Sequence, residues 1–342
     1  MDREAPGPDR AVGPVDEPVF LTGGGGFVGG ALLERLLAEG RTVRALTRSP
    51  AGAARLRHQG AEPVLGDVLD ADGLSAAMRG TSLVFHAAGV NAFCPVDPGP
   101  MFRTNVEGSA NVVRAAAAAG VARVVYTSSA ATLGEAAGTV GDEWAAHRGW
   151  FLSAYERSKY EAERRVLETA ATLGVDVVCV NPSSVQGPGR TRGTARWLIR
   201  YANGRLRWMV DTSVSLVDVA DCTAGHLLAA AVGASGARYV LNGTTLPVRQ
   251  LLQVVEEVSG QVHPVRWVPG PVALAGAAAV EAAFRVRRRR PPVCREMMRT
   301  LLHGHRYDGG RATRELGLAY TPVEQSVRAA LAWYAEHGQL RA

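Results

Sequence analysis

This 342-residue sequence predicts an α/β fold built on a doubly wound parallel sheet, and three observations carry the expectation. Short β-branched runs alternate with alanine-rich stretches of helical length between Pro18 and Pro182. A glycine string separates the first such run from the first helical stretch, and the alternation turns irregular only beyond Pro182. Strands that alternate with helices pair in parallel, with helices on both faces of the sheet.

Taken in order, residues 1–17 mix acids with prolines where a secretory signal would place basic and apolar runs, which predicts a disordered tail. Strands are expected over Val19–Thr22, Thr42–Thr47, Glu62–Gly66, Leu83–His86, Arg123–Thr127 and Asp176–Val180. Helices are expected over Phe27–Ala38, Met101–Ala119 and Ser153–Leu173, each bounded by glycine or a turn-former. Residues 18–182 then form one dinucleotide-sized unit to which 214–242 return, while 183–213 and 243–342 read as a smaller, mostly C-terminal cap. Ligands of such a sheet bind outside the carboxyl ends of its strands.

Composition narrows the function classes. With 47% hydrophobic and 20% charged residues the chain is neither fibrous nor disordered. Four cysteines, Cys94, Cys179, Cys222 and Cys294, lie far apart without a CxxC, so neither a disulfide framework nor a zinc site is expected, and a reducing cytoplasm fits. The longest apolar stretch, Pro271–Phe284, is shorter than the ~20 residues that span a bilayer, so no integral membrane association is expected. The net charge of +6 suits anionic cofactors and substrates as well as nucleic acid, and no nucleic-acid partner is assigned. The basic run Arg285–Arg290 would suit membrane phosphates or nucleic acid, with a solvated face of a substrate cap the favoured reading. Arg192, Arg196 and Arg200 fall on one helical face, which an anionic substrate and plain solvation explain equally well. His303 and His305 read as a surface loop without metal-ligand company. Of the 38 basic residues 37 are arginine, and Lys159 is the only lysine.

The chemistry is written in three places. VFLTGGGGFVGGALLERLL is strand, glycine turn and helix in the order that a dinucleotide fingerprint requires. Gly23, Gly26 and Gly29 fit TGxxGxxG, and Thr22, Gly25, Phe27 and Val28 complete a turn whose helix amides would meet a pyrophosphate. No acid stands between Glu39 and Glu62, where NAD enzymes place one on the ribose 2′-hydroxyl. Arg48 at the end of the second strand would instead fork onto a 2′-phosphate, which favours NADP over NAD. Asp67 and Val68 close the third strand, with Asp67 either on adenine or holding a turn. Finally, Tyr155 and Lys159 are four apart on one helical face. A phenol works as acid or base near neutrality only beside a cation, the role expected of Lys159, while Ser129 would orient a substrate oxygen, with Ser128 as fallback.

These residues together resemble the extended short-chain dehydrogenase/reductase family, from about Val19 to Leu340. TGGGGFVG, GDVLD, VFHAAG, TNVEGSANVVRAA, YTSSA, YERSK, NPSSVQGPG and SLVDVADCTAGHLLAA carry the resemblance. YTSSAATLG and YERSKYEAE resemble its dihydroflavonol 4-reductase-like or hopanoid-associated sugar epimerase branch. The resemblance implies a Rossmann-type domain, a Ser129–Tyr155–Lys159 catalytic set, and cofactor contacts from Ala87, Ala88, Gly89, Thr127, Pro182, Ser183, Ser184 and Val185. It also implies a homodimer formed by the helices over 101–119 and 153–173. Ala130-Ala131 stands where nucleotide-sugar dehydratases carry Asp-Glu, and Asp211-Thr212-Ser213 where nucleotide-sugar enzymes carry an arginine. The expectation is thus an NADP-dependent oxidoreductase acting on a small molecule's carbonyl or alcohol. The alternatives are a sugar epimerase with bound NAD and a non-catalytic NADP sensor.

Overall fold

The computed structural model describes residues 17–341, so nearly all of the expected tail lies outside the described residues. In its first half the chain forms β1 (Val19–Thr22), α1 (Phe27–Ala38), β2 (Val43–Thr47), α2 (Pro50–His58), β3 (Glu62–Leu65), α3 (Ala71–Met78), β4 (Leu83–His86), α4 (Gly99–Phe102), α5 (Gly108–Ala119), β5 (Arg123–Thr127), α6 (Ala154–Leu173) and β6 (Asp176–Pro182). The second half adds β7 (Ser184–Gln186), α7 (Ala195–Ala202), β8 (Trp208–Val210), β9 (Ser213–Asp218), α8 (Val219–Val232), β10 (Arg238–Leu241) and β11 (Thr244–Pro247). It closes with α9 (Val248–Ser259), β12 (Arg266–Val268), α10 (Gly270–Val286), α11 (Arg295–His303) and α12 (Val323–Glu336).

Seven strands make the central sheet in the order β10-β6-β5-β4-β1-β2-β3, every pair parallel. Side chains alternate across a strand, so Val19 and Leu21 face one side and Phe20 the other. The first side is closed by Leu33 and Leu36 of α1 and Leu227 and Ala229 of α8. The second is closed by Leu74 of α3, Val112 of α5 and Val166 of α6. Covering both faces explains why β1 and β4 are buried at every position rather than at alternate ones. The chain crosses from one half of the sheet to the other between β1 and β4, which opens a crevice at their carboxyl ends.

The structure departs from the sequence reading in several places. β10 returns to the sheet as its seventh strand, whereas β9 joins β7 and β11 in a separate three-stranded sheet and only α8 packs back. The helix expected over Met101–Ala119 is broken by a π turn at Arg103–Glu107. Beside that turn Gly108 lies so close to Val68 that an added Cβ would stand 2.6 Å from its Cγ2. Arg192 precedes α7 and does not share its face, while Arg196 and Arg200 are exposed on it. The cysteine expectation fails outright, because Cys94 and Cys294 are joined by a disulfide with Cα atoms 5.8 Å apart. Their separation of 200 residues hides the pair from any spacing rule, and the bond removes the premise on which a reducing cytoplasm rested. Cys179 and Cys222 are free and buried.

Candidate functional site

The turn after β1 is built by glycines for stated reasons. Gly23 has φ +79°, and a Cβ on it would lie 2.5 Å from the Ala88 nitrogen. A Cβ on Gly29 would meet the Gly23 carbonyl oxygen at 2.1 Å, so any larger residue forces α1 off the turn. Around Gly25, by contrast, nothing lies within 4 Å of an added Cβ. Helix α1 starts here with no side-chain cap and no acid in its first turn, so its leading N–H groups, including those of Phe27 and Val28, face this open side. That arrangement fits an anionic pyrophosphate, whose oxygens would satisfy the orphan donors. Thr22 is committed inward: its Oγ1 lies 2.6 Å from His86 Nδ1 and accepts the Ala88 N–H at 3.2 Å. Burial holds His86 at a pKa of about 3, so the imidazole bracing Thr22 and Ser109 is neutral.

The other expected residues gather on the same edge because every strand of the sheet points that way. Ala87, Ala88 and Gly89 leave β4, Thr127 to Ser129 leave β5, and Pro182 to Val185 leave β6. A Cβ on Gly89 would stand 4.0 Å from Lys159 Nζ and 3.4 Å from Asn105 Oδ1. Val185 points into the core, and Ser184 Oγ is 3.1 Å from Thr194 Oγ1. The Oγ atoms of Ser128 and Ser183 are buried without a partner among the described residues. Arg48 is exposed at the end of β2 with no partner among the described residues, next to Ser49, which caps α2. Asp67 uses Oδ1 to hold the Leu69 N–H at 3.0 Å, which is the turn role, and the Val68 side chain packs in the core.

Helix α6 supplies Tyr155 and Lys159. Ser153 caps it, accepting the Glu156 N–H at 3.1 Å. Glu156 is buried and pairs with Arg148. Lys159 donates to Tyr126 Oη at 3.0 Å and to the Thr127 carbonyl at 2.8 Å, and burial lowers its pKa to about 8. Tyr155 stands one turn before it on the same helix, as the spacing predicts. Burial raises the Tyr155 pKa, opposed by the Ser129 hydroxyl and by the charge of Arg190. A second cation thus acts near the phenol beside Lys159: Arg190, whose guanidinium lies 5.2 Å above the Phe27 ring and links the α1 turn to the β7 loop. Phe93 lines the other side of Tyr155, its ring centroid 6.2 Å away.

Sequence reasoning missed two positioning groups. Asn105, in the π turn, accepts the Val90 N–H at 2.7 Å and donates to the Val90 carbonyl and to Ser158 Oγ. It ties the β4 loop to α6, and TNVEGS was the available signal. Glu163, one turn beyond Lys159, pairs with Arg238 at 2.7 Å and raises the lysine's affinity for its proton. The expectation for His303 and His305 is also corrected. Both meet buried Glu135, at 3.3 and 2.6 Å, and Tyr307 Oη lies 2.9 Å from His305 Nδ1. The three ligand-type atoms fall within 4.8 Å of one another, so metal-ligand company exists. Residues 170 apart in the chain form the pair, and no local spacing announces it.

With this geometry in hand, comparison with known proteins is informative. The profile described as NAD dependent epimerase/dehydratase family matches residues 19–241. A Synechocystis sp. protein provisionally named a dihydroflavonol 4-reductase is 34% identical over 94% of this chain and 96% of its own length. A Stigmatella aurantiaca protein named 4-hydroxy-2-methyl-3-oxo-4-farnesyl-3,4-dihydroquinoline-1-oxide ketoreductase is 32% identical over 88% of this chain and 91% of its own. Among solved structures, gox2253 superposes with a TM-score of 0.83 and 30% identity, covering 95% of this chain and all of that one.

Proposed function

This chain belongs to the NAD-dependent epimerase/dehydratase family and is an NAD(P)-dependent oxidoreductase of the extended short-chain type, and we propose that it is an NADPH-dependent reductase of small-molecule ketones or aldehydes. What supports the reading is that Tyr155 lies against the Ser129 hydroxyl while Lys159, one turn further along α6, bonds the Thr127 carbonyl at the same carboxyl edge of the sheet as the glycine turn. Gly23, Gly25, Gly26, Phe27, Val28 and Gly29 would hold the pyrophosphate with Thr22 bracing the turn from behind, Arg48 would hold the 2′-phosphate, and Ala87 to Gly89, Thr127 and Pro182 to Val185 would form the nicotinamide half. Asp67 and Val68 would flank adenine through backbone and carboxylate. When bound, the nicotinamide supplies a hydride for the carbonyl carbon.

The chain's own groups do the rest. Ser129 Oγ donates to the substrate oxygen and fixes it beside the phenol. Tyr155 Oη gives its proton to that oxygen as charge develops, so ketone, hydride and proton together yield the alcohol. Lys159, held by Tyr126 and the Thr127 carbonyl, presents its remaining N–H toward the Gly89 side and keeps positive charge near the reacting oxygen. Arg190 makes the phenolate left behind less costly. Residues 183–213 and 243–342 serve as the substrate cap, and a homodimer forms through α5 and α6.

Screening ketones and nucleotide-sugars for NADPH consumption tests the reading. Net oxidation of free NADPH with alcohol formation supports it. Interconversion of a nucleotide-sugar with no net cofactor turnover would replace it with the epimerase reading. NADPH binding without turnover of any carbonyl would favour a sensor. Light scattering tests the dimer: a single 36.1 kDa species at micromolar concentration is the refuting result.

A further inference from the structure

Helix α10 is a 17-residue element almost devoid of packing. Only Ala277 and Glu281 are buried, and Glu281 anchors the helix to α11 by accepting the Arg295 N–H at 2.9 Å and pairing with its guanidinium at 3.2 Å, while it also pairs with Arg285 on its own helix at 2.6 Å. The opposite face is exposed. It presents Val272, Ala275, Gly276, Ala279, Ala282, Ala283 and Val286, spaced at threes and fours, so they form one stripe. Val272 is 60% and Val286 86% exposed, and a Cβ on Gly276 would meet nothing within 4 Å. No polar side chain interrupts the stripe, whereas the outward face of a globular helix ordinarily carries charge.

The stripe ends in arginine. Arg285 and Arg287–Arg290 are all exposed, five guanidinium groups within six positions. Arg285 is paired with Glu281 and Arg290 donates to the Phe93 carbonyl at 2.8 Å. The side chains of Arg287, Arg288 and Arg289 have no partner among the described residues. A charge-free apolar stripe bounded by unpaired cations is complementary in both parts to acyl chains beneath anionic phosphate headgroups. The helix is too short to cross such a layer, and among the described residues no helix is long and apolar enough to do so.

We propose that α10 and the arginines after it form a peripheral docking surface for anionic membranes. In this arrangement the helix lies along the headgroup boundary with the Val272–Val286 stripe facing the acyl region, and Arg287 to Arg289 engage lipid phosphates. The surface is one helix away from the reaction centre: α11 follows directly, and Glu296 on it accepts the Ala154 N–H at 3.2 Å beside Tyr155. The docking is independent of which carbonyl compound the site reduces.

Co-sedimentation of the full chain with phosphatidylcholine vesicles, with and without 30 mol% phosphatidylglycerol (roughly the charge density of an anionic leaflet), tests the proposal. Binding is expected only with the anionic lipid, and it should fall at least about tenfold between ~0.1 and ~0.5 M salt as the Debye length shortens. R287Q/R288Q/R289Q should weaken it by roughly tenfold or more. Ala279→Glu, placed mid-stripe on a solvent-facing position, should weaken it while leaving the far-ultraviolet spectrum and Tm of the free protein unchanged. Equal binding to neutral and anionic vesicles, or none to either, overturns the proposal. So does full retention of binding in both variants. Salt-sensitive binding to duplex DNA or RNA without vesicle binding would assign the arginines to nucleic acid instead. A change of oligomeric state in Ala279→Glu without loss of vesicle binding would assign the stripe to a second copy.

Discussion

Replacing Lys159 with methionine should abolish turnover and yet stabilise the fold at neutral pH. Holding a buried ammonium whose pKa is about 8, against 10.5 for the exposed side chain, costs about 3 kcal/mol at pH 7. Methionine of similar length removes that cost. It also removes the bonds to Tyr126 Oη and the Thr127 carbonyl, at about 1 kcal/mol each, leaving a net gain of about 1 kcal/mol. The sign depends on pH. Because the folded pKa is the lower one, the cost is complete below pH 8 and fades as pH rises toward 10.5, where folded and unfolded chains are both neutral. The parent should therefore gain stability relative to the variant across that window and overtake it near pH 9 to 10. Urea unfolding of both proteins, followed by tryptophan fluorescence at pH 7, 8.5 and 10, reads the difference, from which the titrating groups that do not feel the Lys159 charge cancel. A difference that does not change with pH, or a variant less stable than the parent at pH 7, would refute the reasoning.

Other outcomes follow from the same geometry. If the Tyr155 hydroxyl transfers the proton as proposed, Tyr155→Phe should lower kcat by ~10² to 10⁴ with NADPH affinity nearly unchanged; activity within a few-fold of the parent would remove Tyr155 from that role. Arg48→Asp should invert a preference for NADPH over NADH, because a carboxylate repels a 2′-phosphate and accepts from a 2′-hydroxyl. Equal affinities for the two cofactors in the parent would show the arginine to be surface only. Reduction of Cys94–Cys294 by dithiothreitol should cost about 2 to 4 kcal/mol, seen as a lower urea midpoint, and Cys94→Ser should match the reduced parent; a midpoint insensitive to reductant would mean the thiols are unbonded in solution.

Local patterns made most of the fold legible. The six expected strands appear within one or two residues of their limits because each is short, β-branched and bounded by turn-formers, and all six needed only period and punctuation to be found. The glycine turn was legible because Gly23 and Gly29 answer to backbone clashes that any sequence of this motif must avoid. That Tyr155 and Lys159 share one helix was legible through their spacing. What escaped was long-range. The Cys94–Cys294 bond, the meeting of Glu135 with His303 and His305, and the charge of Arg190 on Tyr155 each join segments that only the folded cap brings together. The π turn at Asn105 escaped for another reason: its residues have ordinary helical character, and the bulge reflects what Asn105 and Gly108 touch.

The scarcity of lysine has a practical side. Apart from the chain's terminal amine, every primary amine of this protein is one atom, Lys159 Nζ, and the surface offers guanidinium groups alone. Reagents that acylate or reductively alkylate amines, which decorate an ordinary enzyme at many places at once, have a single side-chain target here, and it lies buried beside Tyr126 and the Thr127 carbonyl. With a pKa of about 8 that amine is partly unprotonated, hence nucleophilic, under mildly alkaline conditions. The intact mass of the protein after brief labelling becomes a count of molecules in which the Lys159 pocket stands open, and any molecule that fills the pocket registers as mass not gained.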